Sequence, residues 1–454
     1  MQDSGRTTLL IFGATGDLMG KKIVPSLWHL FEKGRLPKEF EVIGLSRRSL
    51  SEENFRALVK ELMQKYVGEV APDSAARFLA LFSFQRVTFD QSDDFESLAH
   101  ELDSRDRSRG PGIRLLYMAV PPEAFPQIFG HSAFGEIVTK ETRAIIEKPF
   151  GIDLSSAREL EEVLARRFTE EQLYRADHYL AKPVLRTIPS FRFDDGSLEN
   201  IWNAEHIGSI TIRTWEPLGL ENRGAFYDPL GTLRDVGQNH LLEMLALIAM
   251  EKPRNSGNVE EVRAKRAEVL GALRIPNEDA IRKHTFRAQY EGYRAIEGVK
   301  PDSETETYYR LTAYLDNERW RGVPIIMEAG KRLPRWKTEI RVNFKEPKYS
   351  AAFIMRPEEK ILFSKSGEEK KFPLADAEDT KQYVAEYARI IMDAAKGDQT
   401  LFVSEDEIEN AWRFIDPIEN AWKKNVIPLA FYSPDTDEAV ALAEKKWSDE
   451  RLPS

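Results

Sequence analysis

A short apolar run near the start of the chain ends in a glycine turn and leads into a helical pattern. Thr7 to Phe12 (T-T-L-L-I-F) is rich in strand formers, and Gly13 ends it. Apolar positions with helical spacing follow at Ile23, Leu27, Leu30 and Phe31. A strand, a tight turn and a helix in this order open a dinucleotide-binding unit, because the glycine backbone and the helix N-terminus can approach a pyrophosphate.

The glycine spacing leaves a second interpretation open. Gly13, Gly16 and Gly20 give G-x-x-G-x-x-x-G, not G-x-G-x-x-G, so an ordinary strand-to-helix turn would show the same pattern. A Walker A phosphate loop is excluded, because Lys22 stands where that loop needs a magnesium-binding serine or threonine.

The second predicted strand, Glu41 to Ser46, is followed by Arg47 and Arg48 and by no acidic residue. A carboxylate at this place would bind the ribose hydroxyls of NAD, whereas an arginine can bind the 2′-phosphate of NADP. Thr15 in the turn could add a hydroxyl. The pattern therefore favours NADP over NAD, although exposed arginines are also common surface charges.

The rest of the first half alternates helices and strands. The predicted helices are 51–66, 92–104 and 153–166, the predicted strands are 114–120 and 143–146, and 104–112 is a predicted polar loop. Lys148 stands just past the second of these strands, where it could reach into a pocket or remain a solvated charge beside Glu147. The alternation ends near residue 176, which predicts a Rossmann-type domain over 1–176.

Arg175 to Lys182 (R-A-D-H-Y-L-A-K) brings four polar functions together in six positions: Asp177, His178, Tyr179 and Lys182. Burying each of them unpaired would cost roughly a few kcal/mol, so a packed core has little use for such a group. A site for a small anion does have use for a cation and hydrogen-bond donors. Taken alone, the stretch is equally consistent with a solvated polar turn.

The second half has the pattern of a large, mostly antiparallel sheet with helices, which predicts an α+β domain over 177–454. Its predicted strands are 209–215, 305–314, 324–329, 339–344 and 351–354, and its predicted helices are about 235–251, 259–271 and 377–395. Residues 367–371 (G-E-E-K-K) are predicted to form a charged loop.

A second polar group, Asp235, Gln238, Asn239 and His240, comes directly before a strongly apolar helix. Polar side chains beside a core need partners. A histidine there suits general-base chemistry, because its pKa lies near neutrality and a carboxylate can orient it. Without further context, a structural histidine bonded to the backbone is the simpler interpretation.

Charge and cysteine content restrict the classes of protein and of partner. The net charge is -10, which disfavours nucleic acid as a partner but leaves room for a local basic pocket. The chain has no cysteine, so disulfides, thiolate metal sites and a cysteine nucleophile are excluded. No apolar run is long enough to span a membrane, and the N-terminus has no signal-peptide pattern. We expect a cytoplasmic protein with no membrane partner.

Together these motifs resemble the glucose-6-phosphate 1-dehydrogenase family over nearly the whole chain. The matching motifs, in order, are F-G-A-T-G-D-L at the start, E-K-P-F-G at 147–151, Y-R-A-D-H-Y-L-A-K at 174–182, I-W-N-A-E-H-I at 201–207, W-E-P-L-G at 215–219, R-D-V-G-Q-N-H-L-L-E-M at 234–244, A-M-E-K-P at 249–253, N-E-R-W-R-G-V-P at 317–324 and G-K-R-L at 330–333. The resemblance implies oxidation of glucose 6-phosphate at C1 to the 6-phosphoglucono-lactone with NADP, as the first step of the oxidative pentose phosphate pathway. It also implies a homodimer, and it leaves a tetramer open.

The resemblance further implies a role for each matched residue. His240 would be the base that takes the C1 hydroxyl proton, and Asp177 would orient it. The implied phosphate-binding residues are His178, Tyr179 and Lys182. The implied sugar-binding residues are Glu216, Asp235 and Lys331, with Lys148 bridging substrate and coenzyme. The implied coenzyme-binding residues are Gly13, Thr15, Gly16, Asp17, Leu18, Arg47 and Lys148, with Lys21 beside the active site.

Several positions depart from the family pattern. Ala181 and Pro183 flank Lys182, Pro189 follows within the same predicted helix, and Gly237 replaces a bulkier apolar residue. Trp336 stands where the family usually has a basic residue. These changes leave the sugar phosphate and the NADP/NAD preference open. The alternatives are another sugar oxidoreductase of the glucose–fructose oxidoreductase type and a non-catalytic sugar-phosphate-binding relative.

Overall fold

The computed structural model describes residues 6–194, 196, 198–255, 257–346, 349–374 and 381–449. The chain divides into two compact units. The first is Met1–Gly151, Ser155–Ala181 and Glu378–Glu405, and the second is Ile152–Leu154, Lys182–Ala377 and Asp406–Ser454. None of the described helices has both the length and the apolar character needed to cross a bilayer.

The first unit is built on a six-stranded parallel sheet in the order β3-β2-β1-β4-β5-β6. Its strands are β1 (Thr7–Phe12), β2 (Phe40–Ser46), β3 (Phe82–Arg86), β4 (Ile113–Met118), β5 (Thr142–Glu147) and β6 (Leu173–Ala176). Every residue of β1 is buried, as expected for a central strand covered on both faces. The sheet confirms the predicted Rossmann-type α/β fold.

Helices connect and cover these strands. They are α1 (Val24–Glu32), α2 (Glu52–Tyr66), α3 (Pro72–Leu79), α4 (Ser92–Arg109), α5 (Phe125–Gly130), α6 (Phe134–Ile137) and α7 (Leu154–Ala165), and a π-helical turn over Met19–Ile23 comes before α1. The predicted polar loop at 104–112 is wrong, because α4 continues to Arg109 and the backbone turns only at Gly110. The charged residues there are helix formers, and ion pairs one turn apart, Arg105 with Glu101 among them, support the helix.

A helix from much later in the chain completes the first unit. Helix α13 (Gln382–Lys396) contributes buried residues to the same apolar cluster as β1 and α1. Ser26 donates a hydrogen bond to the Val384 carbonyl at 3.0 Å, and Arg143 donates to the Ala394 carbonyl at 2.7 Å. The predicted helix over 377–395 is therefore present from residue 382, and its residues 377–380 lie outside the described part of the chain.

The second unit contains a nine-stranded mixed sheet in the order β14-β13-β12-β11-β7-β10-β9-β8-β15. Its strands are β7 (Ile207–Trp215), β8 (Thr285–Tyr290), β9 (Tyr308–Ala313), β10 (Ile325–Gly330), β11 (Lys337–Phe344), β12 (Tyr349–Arg356), β13 (Lys360–Lys365), β14 (Glu368–Phe372) and β15 (Ala430–Tyr432). The pairs β7–β10 and β8–β15 run parallel, and the other described pairs run antiparallel. The predicted large, mostly antiparallel sheet is confirmed.

The helices of the second unit lie between and after its strands. They are α8 (Pro183–Phe193), α9 (Gly224–Tyr227), α10 (Leu242–Ala249), α11 (Val259–Gly271), α12 (Glu278–His284), α14 (Glu405–Lys423) and α15 (Glu438–Asp449). A π-helix over Leu233–Leu241 runs directly into α10, and we call it the 233–241 helix. The loop predicted at 367–371 is wrong, because Glu368–Phe372 forms an edge strand. Its charged side chains are exposed, and charge on an edge strand limits further strand pairing.

The domain boundary predicted from sequence lies close to the boundary between these two compact units. The sequence places the boundary between residues 176 and 177, and the compact units divide a few residues later, between Ala181 and Lys182. The packing of α13 in the first unit could not be predicted from sequence. The sequence of an amphipathic helix shows that it has an apolar face, but not which sheet that face covers.

Candidate active site

The turn after β1 has the backbone shape of a phosphate-binding loop. Gly13 has a φ of +86°, and a Cβ added there would lie 2.4 Å from the Ala119 carbonyl oxygen. A Cβ on Gly16 would meet the Gly13 carbonyl oxygen at 3.2 Å. Both glycines therefore keep the turn tight at the carboxyl end of β1, where open α/β sheets bind ligands. Asp17 and Leu18 come directly after the turn as the first helical residues, and Asp17 is exposed.

The end of β2 lies beside this turn. The hydroxyls of Thr15 and Ser46 are 3.0 Å apart, and the Gly13 N–H donates to the Leu45 carbonyl at 3.0 Å. Arg47 and Arg48 follow Ser46 and are exposed. The sequence-predicted residues Gly13, Thr15, Gly16 and Arg47 thus occupy adjacent turns at one edge of the sheet.

The two lysines of the π-helical turn point to different surroundings. The Lys21 ammonium lies 2.7 Å from an Asp17 carboxylate oxygen, and about half of the Lys21 side chain is exposed. Its hydrogen bond lowers the pKa of Asp17. The Lys22 ammonium instead lies 4.4 Å from the ring centroid of Tyr383 and 5.3 Å from that of Tyr387, on α13. Lys22 was not among the predicted site residues.

A half-buried acid, Glu147, lies at the carboxyl end of β5. The Tyr117 hydroxyl donates to a Glu147 carboxylate oxygen at 2.5 Å, and the Tyr387 hydroxyl also hydrogen-bonds to Glu147. Burial raises the pKa of Glu147, although Tyr117 and the neighbouring Lys148 and Lys22 favour the charged form. Lys148 comes directly after this acid, past the end of β5 as predicted.

The loop after β6 carries three of the predicted residues. Asp177 is 3% exposed, and one of its carboxylate oxygens accepts the Tyr179 N–H at 2.8 Å. The His178 ring packs edge-on against Tyr179 and also contacts the Tyr387 ring, at centroid separations of 5.1 and 6.4 Å. Arg389 of α13 donates to the Ala181 carbonyl at 3.0 Å. Helix α13 therefore packs against this loop and hydrogen-bonds to it.

Lys182 occupies the N-cap position of α8 and is 4% exposed. Pro183 is the first helical residue, a place where the missing N–H is not needed by the helix. Pro189 lies inside α8, which nevertheless continues to Phe193. The two prolines that depart from the family pattern therefore do not prevent the helix from forming.

Three predicted sugar-binding residues meet in the second unit. The Lys331 ammonium lies 2.8 Å from a Glu216 carboxylate oxygen and 3.5 Å from an Asp235 carboxylate oxygen. It also lies 5.2 Å from the ring centroid of Tyr227. Lys331 is buried, whereas about a quarter of each carboxylate side chain is exposed. One buried cation thus holds two accessible carboxylates whose oxygens can accept sugar hydroxyls.

His240 lies on the 233–241 helix, which starts beside this group. Its side chain is buried, and its backbone N–H donates to the Asn239 amide oxygen at 2.7 Å. Asp235 comes from the first turn of the same helix and His240 from its end. One helix therefore presents both the predicted base and a predicted sugar-binding carboxylate.

Comparison with known proteins assigns nearly the whole chain to one family. A family model described as glucose-6-phosphate dehydrogenase, NAD binding domain, matches residues 10–186, and one described as glucose-6-phosphate dehydrogenase, C-terminal domain, matches residues 189–450. The chain belongs to the glucose-6-phosphate dehydrogenase family. It is therefore an oxidoreductase with a domain for a nicotinamide coenzyme.

Individual members of this family match over almost their full length. Glucose-6-phosphate 1-dehydrogenase of Treponema pallidum is 36% identical and that of Dictyostelium discoideum 33%, covering 93% and 96% of this chain and 90% and 94% of the relatives. A solved structure of glucose-6-phosphate dehydrogenase in complex with its substrate glucose 6-phosphate superimposes with a TM-score of 0.87 at 31% identity. That match covers 100% of this chain and 99% of the solved one.

Two departures from the glucose-6-phosphate dehydrogenase pattern have local structural explanations. Trp336 is half-buried, and the Arg356 guanidinium lies 4.3 Å from its ring centroid, so an arginine covers the ring that replaces the usual basic residue. Gly237 leaves room for a tyrosine: a Cβ there would lie 2.5 Å from the Tyr309 hydroxyl oxygen and 2.9 Å from a Leu233 methyl carbon.

This close packing predicts the effect of a methyl group at position 237. We expect Gly237→Ala to lower the free energy of unfolding by about 1–3 kcal/mol, since overpacking outweighs the better helix propensity of alanine. Among the described residues, the buried Tyr309 hydroxyl has no hydrogen-bond partner. Tyr309→Phe alone should therefore change the free energy of unfolding by less than about 1 kcal/mol.

The double variant is the control. Removing the Tyr309 oxygen leaves its ring carbon 3.0 Å from the added methyl group, so Tyr309→Phe should recover part of the loss caused by Gly237→Ala. Urea unfolding of the four proteins measures this coupling. Strict additivity of the two changes would contradict the packing explanation.

Proposed function

We propose that this protein oxidises D-glucose 6-phosphate at C1 to 6-phospho-D-glucono-1,5-lactone and transfers the hydride to NADP. The observation that carries the proposal is the group formed by Lys331, Glu216 and Asp235 on the unit that also carries His240. Carboxylates held by a buried lysine suit a polyhydroxyl ligand, and a nearby histidine suits removal of a hydroxyl proton.

His240 is the proposed base. Its neutral imidazole takes the proton of the C1 hydroxyl as the C1 hydride leaves, and Asp177 is the carboxylate that orients the ring and stabilises its charged form. Glu216 and Asp235 accept hydrogen bonds from the sugar hydroxyls, and Lys331 fixes both carboxylates. These residues thus orient C1 before the reaction.

The proposed phosphate-binding residues are His178, Tyr179 and Lys182. A buried ammonium at a helix N-cap adds its charge to the N–H groups of the first turn, and both favour a dianionic phosphate. His178 and Tyr179 add donors from the preceding loop. Binding of the phosphate distinguishes glucose 6-phosphate from glucose.

The coenzyme site fits a dinucleotide, because Gly13 and Gly16 allow a turn too tight for side chains at the carboxyl end of β1, where a pyrophosphate can approach the backbone. We propose that the turn from Gly13 to Leu18 binds the pyrophosphate and that Thr15 and Arg47 bind the 2′-phosphate. Lys148 contacts both coenzyme and substrate. The nicotinamide, when bound, accepts the hydride.

Initial rates with four substrate pairs test the function: NADP or NAD with glucose or glucose 6-phosphate. We expect the fastest formation of reduced nicotinamide with NADP and glucose 6-phosphate. Equal rates with glucose would contradict the proposed phosphate site. Turnover by a coenzyme that remains bound through gel filtration would instead support an oxidoreductase of the glucose–fructose type, and binding without turnover would support a sugar-phosphate-binding protein.

The preference for NADP rests on the exposed arginine after β2. We expect Arg47→Ala to raise the KM for NADP about 10- to 150-fold, since a hydrogen bond to a charged group contributes about 1.5–3 kcal/mol. The KM for NAD should stay close to that of the wild type, because NAD has no 2′-phosphate. A parallel rise of both KM values would show that Arg47 binds a part shared by the two coenzymes.

We also propose that the protein is a homodimer in the cytoplasm, as the family resemblance implies. Light scattering of the purified protein tests the assembly, with twice the chain mass as the expected result. A mass of one chain contradicts the dimer, and a mass of four chains shows that dimers pair.

A further inference from the structure

A buried glutamate lies at the start of the 233–241 helix. Glu306 comes just before β9, is 5% exposed, and one of its carboxylate oxygens accepts the Leu233 N–H at 2.9 Å. Leu233 is the first residue of the helix. A carboxylate in this place acts as an N-cap from outside the helix, and it also interacts favourably with the positive end of the helix dipole.

The backbone of Glu306 holds the residues just before the helix. Its carbonyl oxygen accepts the Thr232 N–H at 3.2 Å, and the hydroxyls of Thr232 and Tyr227 lie 3.4 Å from the same oxygen. Gly231 has a φ of +75°, and a Cβ there would lie 2.4 and 2.6 Å from the two carboxylate oxygens. The segment 231–233 is therefore fixed by both the backbone and the side chain of Glu306.

A second buried carboxylate, Glu419, lies near Glu306. Arg234 follows Leu233 on the helix, and its guanidinium lies 2.8 Å from a carboxylate oxygen of Glu419 on α14, with both side chains buried. Arg234 thus interacts with both buried carboxylates, and Arg287 of β8 also interacts with both of them. Burial and the charge of Glu419 raise the pKa of Glu306 to about 8, against the opposing effects of the Leu233 N–H and Arg234. Burial also raises the pKa of Glu419.

Other titratable groups face this carboxylate from the packed elements. They are Arg287 of β8, Tyr309 of β9, Tyr227 of α9 and Tyr293, and Asp416 and Lys423 of α14 act on Glu419. Burial raises the pKa of each of these tyrosines, so they stay neutral over the range in which Glu306 titrates.

We propose that Glu306 is a positioning residue: its carboxyl group holds the first turn of the 233–241 helix and thereby the places of Asp235 and His240. When Glu306 loses its proton, the new charge competes with Glu419 for Arg234, the residue next to Asp235. The first turn then shifts, and the sugar hydroxyls lose a correctly placed acceptor. This inference rests on the proposed function, in which Asp235 binds the sugar and His240 is the base.

Two variants separate positioning from simple folding. Glu306→Gln keeps an oxygen for the Leu233 N–H and cannot ionise, so kcat/KM for glucose 6-phosphate at pH 7 should stay close to the wild-type value. Glu306→Ala removes the cap and should lower kcat/KM about 10- to 100-fold, mainly through KM, because a small displacement of a binding group has effects of this size. The wild type should lose activity above about pH 8, and Glu306→Gln should lack that loss.

Glu304→Gln is the matched control, since Glu304 is two residues away and its side chain is half exposed. It should keep both the wild-type kcat/KM and the wild-type loss above pH 8. The proposal is overturned if Glu306→Gln retains that loss, or if Glu306→Ala has the wild-type kcat/KM.

The melting temperature tests Glu306 independently of turnover. A carboxyl group with a raised pKa stabilises the folded state at low pH, and this stabilisation is lost as the pH rises from the unfolded-state pKa towards 8. The melting temperature of the wild type should therefore fall relative to that of Glu306→Gln between about pH 5 and 8, and the difference should then stay constant. If this holds but no substrate pair is turned over, the proposed function fails and the coupling of Glu306 to the fold stands. A constant difference at every pH overturns the inference.

Discussion

Replacing His240 with asparagine is expected to lower kcat by about 10²- to 10⁴-fold, with little change in the KM for glucose 6-phosphate. This is the usual contribution of a general base, which acts in the transition state and not in substrate binding. Asparagine is polar and smaller than histidine, so the end of the 233–241 helix can keep its hydrogen bonds. It cannot take up a proton near neutral pH, which is the property that the reaction requires.

Steady-state rates with saturating NADP measure this effect. His206→Asn is the control, because His206 lies in the same unit, its ring bonds to the Asn203 side chain, and it has no proposed role. It should leave kcat unchanged. A kcat for His240→Asn within about tenfold of the wild type would show that another group removes the proton.

Replacing Lys182 with alanine should lower kcat/KM for glucose 6-phosphate by about 30- to 5000-fold. The reason is that truncating one partner of a buried charge pair costs about 2–5 kcal/mol. Lys182 is 4% exposed, so its ammonium would meet the phosphate away from most of the solvent. The N–H groups of α8 and the two donors of the preceding loop would remain, and they set the residual activity.

Glucose serves as the internal control for this variant. It has no phosphate, so its already low kcat/KM should be the same for the wild type and for Lys182→Ala. An equal loss with both substrates would show that Lys182 supports the fold of the site and not the phosphate. Circular dichroism checks that α8 is intact, since Lys182 is also the N-cap of that helix.

Sequence patterns were sufficient to predict those features that depend only on residues close together in the chain. The strand Thr7–Phe12, its glycine turn, the strand that ends before Arg47 and the mostly antiparallel character of the second sheet all follow from local periodicity and turn residues. The meeting of Lys331 with Glu216 and Asp235 came from the resemblance to the family and not from the residues themselves. No local pattern joins positions so far apart in the chain.

Local sequence patterns did not predict contacts between residues that are far apart in the chain. In the π-helical turn at Met19–Ile23, the adjacent residues Lys21 and Lys22 have different neighbours, Asp17 and the Tyr383 ring respectively. No local pattern shows that Lys22 contacts Tyr383, which lies on a helix far away in sequence. Tyr387 and Glu306 were missed because their partners, Glu147 and Leu233, are far away in sequence.

The late position of helix α13 has a consequence for how the protein is made. The six strands of the first sheet have all been synthesised once the ribosome reaches Ala176. The helix that covers part of their apolar cluster, α13, is synthesised only with residues 382–396. A ribosome that adds about 5–20 residues per second needs on the order of tens of seconds to bridge that gap. During this time the coenzyme unit is an exposed, unfinished sheet on the nascent chain. Its completion is therefore tied to synthesis of most of the other unit, and the coenzyme half cannot be obtained intact by cutting the chain after residue 181.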